Sequence, residues 1–297
     1  MATYTSNGQF PGKELKGNER FRKLYHYTSF NTFVKIWCTK KLKFGILKGV
    51  NDILETNVKS QTPYLQQLPI MFAYQEIRNS YKQISFTMDY DSYLKGCMSP
   101  FMWGIYGDKR NGVCIEFDYD KLNIPENCFG DVVEYRTAVN GIVSIPSHIE
   151  TIRDIKNFIK EKSEEMFFTK QESWQGENEF RLISDTMDYL DISLAISSVY
   201  LTSCDSVECL CVEALVKDEC EVKFVHYIKN PNGIELIPVE RNCKEEREEK
   251  EKAKNSPSNV LNSLSKQAME FYNSKKADEN ESLILRQYFF PKNKDDQ

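Results

Sequence analysis

The chain has 297 residues, enough for one large domain or for a domain with an extension. Hydrophobic residues make up 40% and aromatics 12%, which excludes global disorder. A net charge of -5, from 39 basic and 44 acidic side chains, excludes a duplex-DNA binder relying on a whole-protein basic field, though not a local basic groove.

Residues 1–20 read as a loose, polar arm with no apolar leader segment, and no later apolar run reaches the length of a membrane span. "KLYHYTS", 23–29, reads as a first strand. A helix follows, capped by Ser29 or Asn31, with Phe30, Phe33, Val34 and Trp37 at helical spacing and Gly45 punctuating its end. "GVNDILETN" is a polar loop, and residues 60–82 read as helical. "QISFTMD" is a strand, "SPFMWGIYGDKRNG" a short helix with a polar turn at 108–112, and "GVCIEFDYDKL" an alternating strand. "DVVEYRT" reads as one further strand and 149–171 as a Lys- and Glu-rich helix. "NEFRLIS" and "ISSVYLTS" are strands, "VECLCVEALV" reads as a half-buried or buried strand, and "CVEALV" and "GIELIPVE" are each a strand or a helix end. After Arg241 a solvated charge run leads to a helical stretch at 258–274. The expected organisation is an arm at 1–20, an α+β domain at 21–241, and a charged linker with a helical extension at 242–297.

The nine cysteines are odd in number and irregularly spaced, so a reduced, cytoplasmic protein is expected. Cys204, Cys209 and Cys211, with Cys220 and His226 beyond, form no CxxC pair. They read as small core residues, and no metal is expected.

Chemistry concentrates in a few stretches. On a strand, Glu177, Glu179 and Arg181 of "WQGENEFRLIS" share one face, while Asn178, Phe180 and Leu182 take the other. Two carboxylates so placed repel, which raises one pKa, and Arg181 neutralises the other. The alternative is an ordinary charged outer sheet face. Trp103 and Tyr106 lie three apart on a helix, a spacing as fitting for core packing as for a binding platform. Asn51 and Asp52 suit a turn. Gly-rich phosphate loops and a serine elbow are absent.

Taken together, "YHYT" at 25–28, "ND..E" at 51–55, "MWGIYGDKRNGVCIEF" at 102–117 and "WQGENEFR" at 174–181 resemble a bacterial family titled domain of unknown function 2971. The order of parts also resembles the ADP-ribosyltransferase superfamily, in its branch with a His, Tyr, Glu triad. That resemblance implies an α+β fold of split antiparallel or mixed sheets with flanking helices, plus a helical C-terminal extension. It implies NAD as substrate, with Glu179 as the catalytic acid and Glu177 as the first acid of an E-x-E pair. His26 would contact the adenosine-side ribose, with Tyr27 and Thr28 beside it. Tyr106, or else Trp103, would stack on nicotinamide, and Arg181 and Asn51 would orient the substrate. Where those transferases often carry glycine after the histidine, this chain has Tyr27.

The expectation is an enzyme that passes ADP-ribose from NAD to a macromolecule, nucleic acid or protein, as a toxin or antiviral defence effector. The alternatives are an NAD glycohydrolase and a non-enzymatic nucleic-acid or protein-binding module on a degenerate transferase-like fold. RNA or single-stranded DNA is one expected acceptor, given the lysines and aromatics of "KIWCTKKLKFG". An antitoxin-like partner through 242–297 and no membrane partner complete the reading.

Overall fold

The computed structural model describes residues 22–47, 59–61, 68–91, 94–138, 142–229 and 236–254. The chain divides into two compact units, Met1–Cys243 and Lys244–Gln297. The main sheet, its flanking helices and the cleft belong to the first. Asn51, the polar loop expected at 49–57 and the helical stretch expected at 258–274 lie outside the described residues. Among the described residues no helix is long and apolar enough to cross a membrane.

Strand β1 (Lys23–Thr28) runs into helix α1 (Phe30–Thr39), whose first turn is capped by the Ser29 side chain accepting from the Thr32 amide. α1 stops at Lys40, in the left-handed region, ahead of Gly45. β2 (Lys41–Lys43), β3 (Gly45–Ile46) and β4 (Lys59–Gln61) follow. Helix α2 is Leu68–Ser80, and the helix expected over 60–82 meets strand at 60–61 and at 82, with 62–67 outside the described residues. β5 (Lys82–Met88), α3 (Pro100–Ile105) and β6 (Val113–Asp118) come next.

"DVVEYRT" is two strands, β7 (Phe129–Val132) and β8 (Glu134–Arg136), which join different sheets. β9 is Ile142–Ser144. The helix expected over 149–171 is α4 (Ile152–Glu161) and α5 (Ser163–Phe167), then strand β10 (Thr169–Gln171). β11 (Glu179–Ser184), β12 (Tyr189–Asp191) and β13 (Ile196–Leu201) precede α6 (Val207–Val216). α6 corrects the strand reading of "VECLCVEALV". Cys209, Val212 and Val216 are buried at helical spacing, and Ser206 caps the first turn. β14 (Glu221–Lys229) and β15 (Leu236–Asn242) end the sheet, and α7 (Cys243–Lys254) carries the charge run.

The main sheet runs β15-β14-β13-β6-β1-β5-β11-β7, with β3 on the edge of β5. It is mixed: β13 and β14 are parallel, joined through α6, and the other pairs are antiparallel. One core packs α1 and α6 against Leu24, Ile115, Phe117, Phe86, Phe180 and Leu182. A second gathers Ile183 with Tyr74, Phe158 and Phe167 from the helices α2, α4 and α5. A third packs Tyr25, Tyr27, Cys114 and Tyr200 against Met102 and Trp103. Sheet residues are therefore covered on both faces at the centre, which lets charged side chains there be buried.

Candidate active site

Strands β1 and β5 pair only at Leu24–Met88 and Tyr25–Thr87. Beyond that point β1 stays with β6 through Thr28, while β5 stays with β11 to Lys82 and takes β3 on its other edge. The two central strands part. A cleft of about 700 Å³ is lined by the parting strands, by Lys43–Ile46, and by Met102, Tyr106, Lys170, Glu177 and Glu179. Its size lies in the usual range of small-molecule sites.

The register sets Tyr25, Thr87 and Glu179 side by side, so alternation puts them on one sheet face. His26, one residue on from Tyr25, turns the other way and meets the edge of Phe86 at 6.1 Å between ring centroids. In an intact sheet His26 and Glu179 would be separated by the backbone. The parting of β1 from β5 lets both line the same cleft. His26 Nδ1 lies 3.0 Å from the Ser85 carbonyl. A carbonyl only accepts, so Nδ1 carries the proton and Nε2 of the neutral ring is an acceptor. Burial holds this imidazole below its ordinary pKa, against the pull of the Ser85 bond.

The acidic stretch departs from the expected strand. Glu177 ends a 3-10 turn over Glu172–Glu177, Asn178 takes a left-handed conformation (φ 45°), and β11 begins at Glu179. The Asn178 side chain donates to the carbonyls of Met88 and Asp89, which fixes that kink. Glu177 is therefore not a co-facial strand neighbour of Glu179. Nor is this a charged outer face: Glu177, Glu179, Arg181 and Lys170 are only 4%, 3%, 2% and 4% exposed.

The four form a neutralised cluster. Arg181 grips Glu179 with two bonds of 2.7 Å, Nε to Oε1 and Nη2 to Oε2, and spends Nη1 on the Phe167 carbonyl at 2.6 Å. Burial raises the Glu179 pKa, but Arg181 and Lys170 overcome it and hold the group at about 2. Glu177 receives Tyr106 Oη on Oε1 and Lys170 Nζ on Oε2, each at 2.5 Å. Its pKa stands above the ordinary value because burial and the Glu179 charge outweigh Lys170. One carboxylate is thus fixed as an anion and the other is tunable, an arrangement suited to splitting electrostatic and proton-transfer roles.

Of the residues singled out from sequence, His26, Tyr27, Tyr106, Glu177 and Glu179 line the cleft. The Tyr27 hydroxyl donates to the Gly96 carbonyl at 2.6 Å. Trp103 does not line it. Its indole is buried, donating to the Cys97 carbonyl at 2.7 Å and meeting Tyr27 edge-on, so it packs beneath the wall. Thr28 is buried outside the lining, and Arg181 stands behind Glu179. Lys170 also lines the cleft, within a Lys- and Glu-rich stretch whose sequence reads as helix. The signal for strand is the aromatic and β-branched "MFFT" just before it.

Cys204 and Cys209 are buried core residues and Cys220 is half-buried, whereas Cys211 is exposed. Among the described residues Cys209, Glu213 and Cys243 bring their ligand-type atoms within 4.8 Å of one another. The hydrogen bond with Cys209 and burial push the Cys243 thiol up.

A sequence-family profile described as "Protein of unknown function (DUF2971)" matches residues 102–182. That span takes in Tyr106, Lys170, Glu177, Glu179 and Arg181 and leaves out His26. No curated protein matches the chain. Among solved structures, "Thermus sp. 2.9 DarT in complex with ADP-ribosylated ssDNA" is similar at 11% identity and a TM-score of 0.31. The match covers 68% of this chain and 93% of that one. A likeness that low lends no weight to any residue or activity here.

Proposed function

We propose that the cleft binds NAD and that the chain is an ADP-ribosyltransferase acting on a macromolecular acceptor, nucleic acid or protein. The observation that carries this reading is that His26, Tyr106, Glu177 and Glu179, from stretches far apart in the sequence, line one cleft. Each has a part to play. The His26 Nε2 acceptor suits a ribose hydroxyl. The Tyr106 ring suits a flat nicotinamide. Glu179, anionic at any physiological pH, faces the sugar.

In the reaction the bond from the ribose anomeric carbon to the nicotinamide nitrogen breaks, and its electron pair leaves with nicotinamide. The positive charge left on the sugar is stabilised by the fixed Glu179 carboxylate, which favours the transition state over the ground state. The acceptor lone pair forms the new bond to that carbon, and the acceptor proton passes to Glu177, whose raised pKa suits a general base. Arg181 keeps Glu179 aimed without occupying every lone pair of its oxygens.

Labelled NAD incubated with single-stranded DNA, RNA and protein acceptors tests this. Glu179→Gln is expected to reduce ADP-ribose transfer by about 10²–10³-fold, the size of losing one well-placed electrostatic group. Transfer by Glu179→Ala equal to that of the native chain would overturn the reading. Nicotinamide release with no labelled acceptor would redirect it to NAD hydrolysis.

A further inference from the structure

Lys170 is a buried cation outside the residues that the resemblance assigns. It sits on β10, opposite Tyr135 of β8 in a parallel pair, and is held over the Trp174 ring at 5.0 Å. Its Nζ lies 2.5 Å from Glu177 Oε2 and 3.6 Å from Glu179 Oε2. Arg181 is committed to Glu179 and to the Phe167 carbonyl. Lys170 is therefore the cation that answers Glu177.

We propose that Lys170 is a positioning residue that holds Glu177 as an anion and so sets the direction of the Tyr106–Glu177 hydrogen bond. With Glu177 ionised, Tyr106 must donate to it, and the phenol oxygen turns its lone pairs toward the cleft. With Glu177 protonated, the carboxyl becomes the donor and the Tyr106 hydroxyl proton is free to point at a ligand. Lys170 thereby selects whether Tyr106 meets a bound ligand as acceptor or as donor. The consequence for catalysis rests on the proposed transferase reading; the consequence for Glu177 ionisation does not.

The groups facing Glu177 leave little else to do this. Tyr106, the C-cap of α3, donates to it. Glu179 of β11 opposes its ionisation, and Arg181 on the same strand is spent on Glu179. Tyr135 of β8 accepts from the Glu179 amide at 3.0 Å, and Tyr90 donates to the Gly176 carbonyl. Both are neutral phenols, with ionisation pushed upward first by burial. Removing Lys170 leaves burial and the Glu179 charge, and both favour a proton on Glu177.

The test uses the full chain with carbon-13-labelled glutamate carboxyls, Glu177→Gln serving to assign the Glu177 signal. In Lys170→Met the Glu177 titration is expected to move up by about 1–3 pH units, the usual effect of an adjacent opposite charge. Lys170→Arg should restore it. The acid limb of NAD turnover should move with the carboxyl signal. An unshifted Glu177 titration in folded Lys170→Met overturns the proposal. If Lys170→Met does not fold, Lys170→Gln, which removes the charge and keeps a donor, is read in the same way, and an unshifted Glu177 titration there overturns the proposal. A shifted carboxyl in a protein that never consumes NAD would sink the transferase reading and leave this one standing.

Discussion

His26 Nδ1 faces a backbone carbonyl, and that one contact makes the ring a neutral acceptor at Nε2. The cost appears at low pH. The folded pKa is depressed below the unfolded value of about 6.5, so the unfolded chain takes up a proton that the folded chain resists. The stability held above that value is lost as pH falls from it toward the folded pKa. In His26→Gln, which keeps a donor for Ser85 but does not titrate, urea unfolding should show a flatter loss of stability between pH 7 and 5. An unchanged difference between the two curves would mean that His26 binds its proton equally in both states.

The histidine and the acidic pair were legible because their residue types and order are distinctive. Lys170 was not, because nothing local separates a lysine that bridges two buried carboxylates from the exposed lysines around it. The sequence also misjudged how the acids meet: a cation from another sheet brings them together, not strand alternation.

Among elements, the segment around Gly96 positions the aromatic wall. Gly96 accepts from the Tyr27 hydroxyl and donates to Asp89 at 2.8 Å, with the Tyr25 ring packed against its α-carbon. An added Cβ would fall 2.3 Å from Tyr25 Cδ2 and 2.9 Å from the Met88 carbonyl oxygen. Gly96→Ala should therefore cost about 1–3 kcal/mol through overpacking, read by denaturant unfolding. Gly104→Ala, on α3 with nothing within 4 Å of the new Cβ, should be neutral or stabilise by about 0.5–1 kcal/mol. Equal effects at the two sites would refute the packing account.

Elements with strong period and clear caps, such as α1, β5, β6 and β13, were readable from the chain. α6 was not, although Cys209, Val212 and Val216 carry its helical spacing. Val207, Leu210 and Cys211 are exposed on the same helix, so its apolar residues run nearly all the way round and blur the stripe. Near β10 the difficulty is length. Three strand residues behind two short helices leave too few positions for alternation to declare itself.

At the scale of the molecule, the α+β character follows from the alternation of strands and helices, and the mixed sheet from one parallel step. β13 and β14 run the same way, so the chain needs a crossover, which α6 supplies. What no local pattern announces is the early end of the β1–β5 ladder. Pairing across a sheet depends on strands far apart in sequence, and each strand reads as an ordinary strand by itself.

That early end has a consequence for exchange with solvent. Amides of β1 and β5 that face the parting have lost the ladder that would lock them, save where β3 pairs with β5 at Lys82 and Gln83, while those turned toward β6 and β11 keep theirs. Hydrogen–deuterium exchange along β1 should alternate between fast and slow residues past Tyr25, instead of fading evenly toward the strand end. A ligand seated between the strands should slow the fast set selectively. Uniform protection along β1 in the free protein would show that the two strands close over the cleft for most of the time. The middle of the sheet, where globular proteins are ordinarily slowest to open, is here expected to be a fault line that breathes.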